Sequence, residues 1–332
     1  VRHIYPIMYQ MPETEFPAGV ATMLLSNKPF SDQDLEFIEG VARKMQFEMV
    51  LTPKFSLNSA FADIVSGKGL DKSSEKLPVK IKATRDDNPF FFYVLRFQDS
   101  FKPRIWKEIA KVSGAGPLLA VFILAASLII AVSLTFLFIL APLILTAEKK
   151  SLRGGLPLFI FFSAIGFGFM LIEISQMQRL IIFLGHPFYG LSVVLFSLLL
   201  GSGVGSYLTE RVRESGLKRS GMMRLSFLLL VLIIFGILTP CLINVFRGAI
   251  TAMRIVVAGS MLFPLGIFLG MAFPLGMKTA ARRKSFLTPW LWGVNGATSV
   301  CASVIAVAIA LNSSITITFW TGFCFYVLAL IA

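Results

Sequence analysis

Acidic residues are nearly missing from two thirds of this chain. Residues 113–332 hold four of them, Glu148, Glu173, Glu210 and Glu214, against 15 Lys and Arg. Over the whole chain 15% of residues are charged, whereas soluble domains carry roughly 25%. A soluble surface cannot be built from such a stretch. Histidine is as scarce, with His3 and His186 alone. The three cysteines, Cys241, Cys301 and Cys324, all lie in apolar runs and read as packing residues. That pattern excludes a disulfide framework, and no His/Cys cluster has the spacing of a metal site. No Ser/His/Asp or Cys/His arrangement for nucleophilic catalysis is visible.

What the chain does have is apolar length. Hydrophobic residues make up 56% of it, with 32 Phe. A membrane span needs about 20 apolar residues, and seven runs qualify: 117–146, 157–178, 187–208, 225–244, 256–277, 289–311 and 315–332. Four of them begin with proline, which suits a first helical position because its missing N–H would be unpaired there anyway. The fold predicted is a multi-pass α-helical membrane bundle of about seven helices over residues 113–332. The lipid bilayer is its first partner.

Residues 1–112 differ, with 16 basic and 14 acidic residues, so the net charge of +13 comes almost wholly from the apolar part. There it reads as basic loops facing anionic lipid. Aromatics lie inside the apolar runs and not between basic residues, so no nucleic-acid partner is expected. Loops 147–156, 209–224 and 278–288 hold 3, 5 and 4 basic residues, and the opposite loops hold only Arg179, Arg247 and Arg254. The first set should be cytoplasmic, which places residues 1–112 outside. Lys102, Arg104, Lys107 and Lys111, next to the first helix, point the other way.

In the first 112 residues, strands are predicted at 20–25, 47–51 and 90–97. An amphipathic helix is predicted at 32–46, N-capped by Ser31, with a short helix at 58–66 and a polar loop at 68–82. Asp86-Asp87-Asn88-Pro89 reads as a turn. Strand–helix–strand order suggests a partial α/β segment. A chain starting without Met and stopping inside an apolar run reads as a fragment of a longer protein.

Few residues could carry chemistry. Glu173 is the only carboxylate deep in an apolar run, so it should face the bundle interior with a partner, for which Gln176, Arg179 and Asn295 are candidates. It reads as a proton or substrate site, or as a hydrogen-bonded knot between helices. His186 lies in a very short turn and reads as a titrating group or a helix-start cap. Gly201 and Gly205 have GxxxG spacing, which favours close helix packing. Pro264 and Pro274 within one span predict a kinked or broken helix. Trp290, Trp292 and Asn295 read as an interfacial belt with a polar packing residue.

Several strings taken in order carry a resemblance: ATMLLSNKPF (21–30), TRDDNPFFF (84–92), GFGFMLIEI (166–174), FLGHP (183–187), LGSGVG (200–205), FPLG (273–276) and WGVNG (292–296). Together they resemble the membrane-embedded spermidine synthase-like proteins of bacteria, over nearly the whole chain. The resemblance implies a bacterial inner-membrane protein. It implies that residues 1–112 are the last part of a Rossmann-like domain of the aminopropyltransferase/methyltransferase type. The cofactor loop and catalytic acid of such a domain lie earlier, so no catalytic residue and no cofactor site is assigned to this chain. A decarboxylated S-adenosylmethionine-type donor and polyamine aminopropyl transfer are implied for the full-length protein. The alternative is a membrane transporter or lipid- or polyamine-handling protein, binding a polyamine or other small cation. The binding candidates are Asp86, Asp87, Glu173, Gln176, Arg179, His186 and Asn295.

Overall fold

The structure is a computed structural model that describes residues 3–9, 20–52, 55–56, 84–91, 93, 102, 106, 116–146, 154–212 and 216–332. The chain divides into two units, Val1–Ala83 with Phe91–Phe122, and Thr84–Phe90 with Ile123–Ala332.

The first unit holds a three-stranded sheet. β1 (His3–Tyr9) lies in the middle, with β2 (Val20–Ser26) and β3 (Glu48–Met49) on either side. Both neighbours run antiparallel to β1; His3 pairs with Ser26, Tyr9 with Val20 and Ile7 with Met49. Pro6 lies beyond the end of the β3 pairing, where β1 is an edge on that side and a residue without N–H is tolerated. Between β2 and β3 runs α1 (Asp32–Lys44). Its start is a reciprocal cap. Ser31 Oγ accepts from Asp34 N (3.2 Å), and Asp34 Oδ2 accepts from Ser31 N (2.9 Å) and Oγ (2.7 Å). Those donors hold the Asp34 carboxyl below its ordinary range.

The expected Rossmann-like segment is not evident. Among the described residues no two neighbouring strands are parallel, because β1 inserts between β2 and β3. That strand was not foreseen from the sequence. The predicted strand at 47–51 shortens to Glu48–Met49 plus an isolated bridge from Leu51 to Ser56. Phe90, Phe91 and Tyr93 are not in a strand, contrary to expectation. The predicted helix at 58–66 and loop at 68–82 lie outside the described residues.

The apolar region is helical, and each predicted run falls on a helix. α2 (Gly116–Thr135) continues through a π turn (Phe136–Leu140) into α3 (Ala141–Thr146). Then follow α4 (Leu156–Leu184), α5 (Pro187–Glu210), α6 (Leu217–Phe246), α7 (Thr251–Lys284), α8 (Thr288–Asn312) and α9 (Ile315–Ile331). Among the described residues, five continuous helical stretches are long and apolar enough to cross a membrane. The longest, Thr251–Asn312, contains α7 and α8, joined by a short turn at Ser285–Leu287. This is the build of an integral membrane protein. The four prolines expected at helix starts, Pro117, Pro157, Pro187 and Pro289, all fall in the first two residues of their helices.

Helix α4 touches α5, α7, α8 and α9. Phe162, Leu171, Ile172 and Leu180 are fully buried on it. The tightest approach is between α5 and α7, and small residues permit it. A Cβ on Gly201 would stand 2.5 Å from Phe263 O, and one on Gly266 would stand 2.8 Å from Leu198 O. At Gly205 and Gly270 an added Cβ would run into the backbones of Ile267 and Ser202. The GxxxG spacing of α5 therefore meets a second one, Gly266 and Gly270, on α7. Apolar burial between helices drives little in lipid, so backbone approach of this kind supplies the contact. Helix α7 stays continuous through Pro264 and Pro274, so of the expected kink or break the break does not occur.

Gly205→Ala should therefore destabilise the bundle by about 1–3 kcal/mol through overpacking. Gly203 has open space around its missing Cβ, so Gly203→Ala should leave stability unchanged or slightly raised. Thermal unfolding of the two variants in detergent measures the contrast.

Candidate functional site

The turn at residues 84–90 belongs to the same unit as the bundle. Arg85 and Asn88 close it, with Asn88 N donating to Arg85 O (2.8 Å). Asp86 and Asp87 occupy its tip, as the sequence suggested.

Asp87 caps α9. Its backbone carbonyl accepts from Ile315 N (3.0 Å), and its Oδ1 accepts from Thr316 N (2.9 Å) and Thr316 Oγ1 (2.6 Å). Ser314 Oγ accepts from Ile317 N (3.2 Å), which satisfies the third donor of that first turn. Asn88 Nδ2 adds a bond to Ser313 O (2.8 Å). A carboxylate at this position also meets the positive end of the helix dipole.

Three arginines converge on the same place. Arg179 of α4 has a side chain only 10% exposed. Its Nη2 donates to Thr316 Oγ1 (2.8 Å) and lies 3.7 Å from Asp87 Oδ1. Thr316 thus accepts from the guanidinium and donates to the carboxylate. Arg247, just past the end of α6, pairs with Asp86, and both of these side chains are over 60% exposed. Arg254, in the first turn of α7, donates from Nη1 to Phe183 O (2.8 Å) and from Nη2 to Thr251 Oγ1 (3.4 Å). The first of these satisfies a carbonyl in the last turn of α4, which Gly185 ends in the left-handed conformation with φ 77°. Together these groups surround a cavity of about 500 Å³, and Ile182, Phe183, Pro240 and Ile243 give it an apolar wall.

Of the residues singled out from the sequence, Asp86, Asp87 and Arg179 come together here. The others do not. Glu173 is buried (7% exposed), but among the described residues no hydrogen bond or ion pair reaches it. The partners expected for it are engaged elsewhere, which corrects that expectation. Arg179 turns to Thr316 and Asp87. Gln176 Nε2 lies 3.4 Å from Ser175 Oγ. Asn295 Nδ2 donates to Phe162 O (3.0 Å) and ties α8 to α4. Asn295 also lines a second, open cavity of about 370 Å³, with Ser202, Ser206 and Ser299. His186 is the N-cap of α5: its Nδ1 accepts from Phe188 N (3.2 Å), the blander of its two readings. Arg247 and Arg254 were not singled out from the sequence. Their signal was there, since with Arg179 they are the basic residues of the short loops and span ends on that side.

Among the described residues no group of three or more His, Cys, Asp or Glu could hold a metal ion. No protein-family model matches the chain, and neither a curated protein nor a solved structure matches it.

Asp87→Ala removes two hydrogen bonds to a carboxylate and should destabilise the folded protein by about 2 kcal/mol. Asp86→Ala removes an exposed ion pair and should cost less than about 1 kcal/mol. Thermal unfolding in detergent, with limited proteolysis around residues 84–90, distinguishes the two.

Proposed function

We propose that this chain is the membrane-embedded C-terminal part of a bacterial inner-membrane, spermidine synthase-like protein, and that its bundle anchors the soluble segment. The observation that carries this reading is where the resembling strings lie. Gly166 lies against Asn295 and Thr298. His186 caps α5, Gly201 and Gly205 pack on α7, and Asp87 and Asn88 hold the start of α9. They serve packing and capping, as an anchor requires, and do not converge on one reacting centre. The arginine-lined cavity carries more positive than negative groups, so it suits neither a cationic sulfonium donor nor a polyamine. Aminopropyl transfer, with its decarboxylated S-adenosylmethionine-type donor, would then rest on residues outside this chain.

Membranes carrying the full-length protein should convert a diamine and that donor into the longer polyamine. Folded, membrane-inserted protein without any such transfer would sink the reading.

One observation favours a second reading, a transporter or lipid- or polyamine-handling protein. Glu173 is buried in a span and, among the described residues, has no partner, the situation in which intramembrane carboxylates serve protons or cations. Glu173→Gln separates the two. Under the anchoring reading, transfer activity per folded molecule stays unchanged and only stability moves. Under the transport reading, polyamine- or proton-coupled uptake into proteoliposomes is lost while the protein remains folded.

A further inference from the structure

We infer that the cavity framed by Arg179, Arg247 and Arg254 is a binding site for a phosphate group carried on an apolar body. The inference is independent of the proposed function. It starts from charge: three guanidiniums face two carboxylates, an excess of one positive group. Asp86 is matched to Arg247, and Asp87 is shared between Thr316 and Arg179. Among the described residues no carboxylate pairs with Arg254.

Hydrogen bonding points the same way. Arg179 Nη1 and Arg254 Nε are buried and, among the described residues, have no acceptor. An unmet donor on a buried cation is costly, and nine tenths of the Arg179 side chain is buried. Both arginines line a cavity of about 500 Å³, where an anion with several acceptor oxygens would answer their charge. Guanidinium groups bind phosphate in this manner. A carboxylate would answer the charge with fewer oxygens.

Position and shape narrow the ligand. Arg179 is five residues from the end of α4, about 7–8 Å along the helix axis. Arg254 stands in the first turn of α7. Both therefore lie near the ends of their spans, at the depth of headgroups and not at the centre of the bilayer. Ile182, Phe183, Pro240 and Ile243 form an apolar wall beside the charged groups. The shared chemistry is a phosphate mono- or diester, supplied by a phospholipid headgroup or by a soluble phosphate.

The test uses the whole purified chain in detergent, with three probes: inorganic phosphate, a short-chain phosphatidylglycerol, and the diacylglycerol with the same chains. At tenfold excess over Kd a true ligand should raise the melting temperature by about 3 °C. A rise with phosphatidylglycerol alone identifies a lipid headgroup, and an equal rise with inorganic phosphate identifies a soluble phosphate. Arg254→Gln should weaken binding of the active probe by about tenfold or more, whereas Arg224→Gln, toward the opposite end of the bundle, should not. Should Arg254→Gln fail to fold, dicarbonyl labelling of the wild-type protein decides: the probe should protect Arg254 and leave Arg224 reactive. Three results would overturn the inference. They are no rise with either phosphate probe, an equal rise with diacylglycerol, and unchanged binding or labelling at Arg254.

Discussion

A helix that begins at the edge of a membrane bundle must find acceptors for its first N–H groups, which have no partner within the helix. In α9 they come from outside the helix. Asp87 supplies a carbonyl for Ile315 and a carboxylate oxygen for Thr316, and Ser314 supplies a hydroxyl for Ile317. Once Asp87 is fixed, Thr316 is oriented, and Thr316 in turn holds Arg179 of α4. Helix α4 contacts four other helices. One carboxylate on a short turn thus joins the start of the last helix to the helix with the widest contacts.

The opposite end of the bundle is organised differently. Lys278 Nζ donates to Thr209 O and Glu210 O, the last carbonyls of α5 (2.9 Å each). Arg282, Arg283 and Lys284 crowd the last turn of α7. Cations there complement helix C-termini and face the headgroups. At the Asp87 end the few cations are gathered inward, around carboxylates and a cavity. Loop counting treats both ends alike, since it sees how many charges there are and not what they touch.

Close packing holds these ends in register. Gly201 and Gly205 on α5 against Gly266 and Gly270 on α7 allow backbone contact over several turns. Asn295, bonded to Phe162 O, does similar work between α8 and α4. Its amide is the kind of polar group that a span tolerates when it is spent on a neighbouring backbone. Among the described residues Glu173, on the same helix as Phe162, has no such outlet.

Much of this was legible in local sequence. Apolar run length determined the membrane class, because nothing but a helix can satisfy 20 consecutive backbone groups in lipid. Prolines marked helix starts, glycine spacing marked a packing face, and Asp86-Asp87-Asn88-Pro89 marked a turn, since each depends on backbone geometry within a few residues. Pairing between distant segments was not legible. β1 entered the sheet between two foreseen strands, and its partners lie up to 42 residues away along the chain. Asp87 and Thr316 are separated by 229 positions, and Asp86 and Arg247 by 161. Arg247 and Arg254 read as ordinary loop charges until helix packing brought them to the same cavity as Arg179. The sequence by itself determined which apolar segments are helices and, through proline, where four of them start. Only the tertiary structure decided which charges share a site, because a guanidinium chooses its partner by distance in space, and that distance is set by how closely the helices pack.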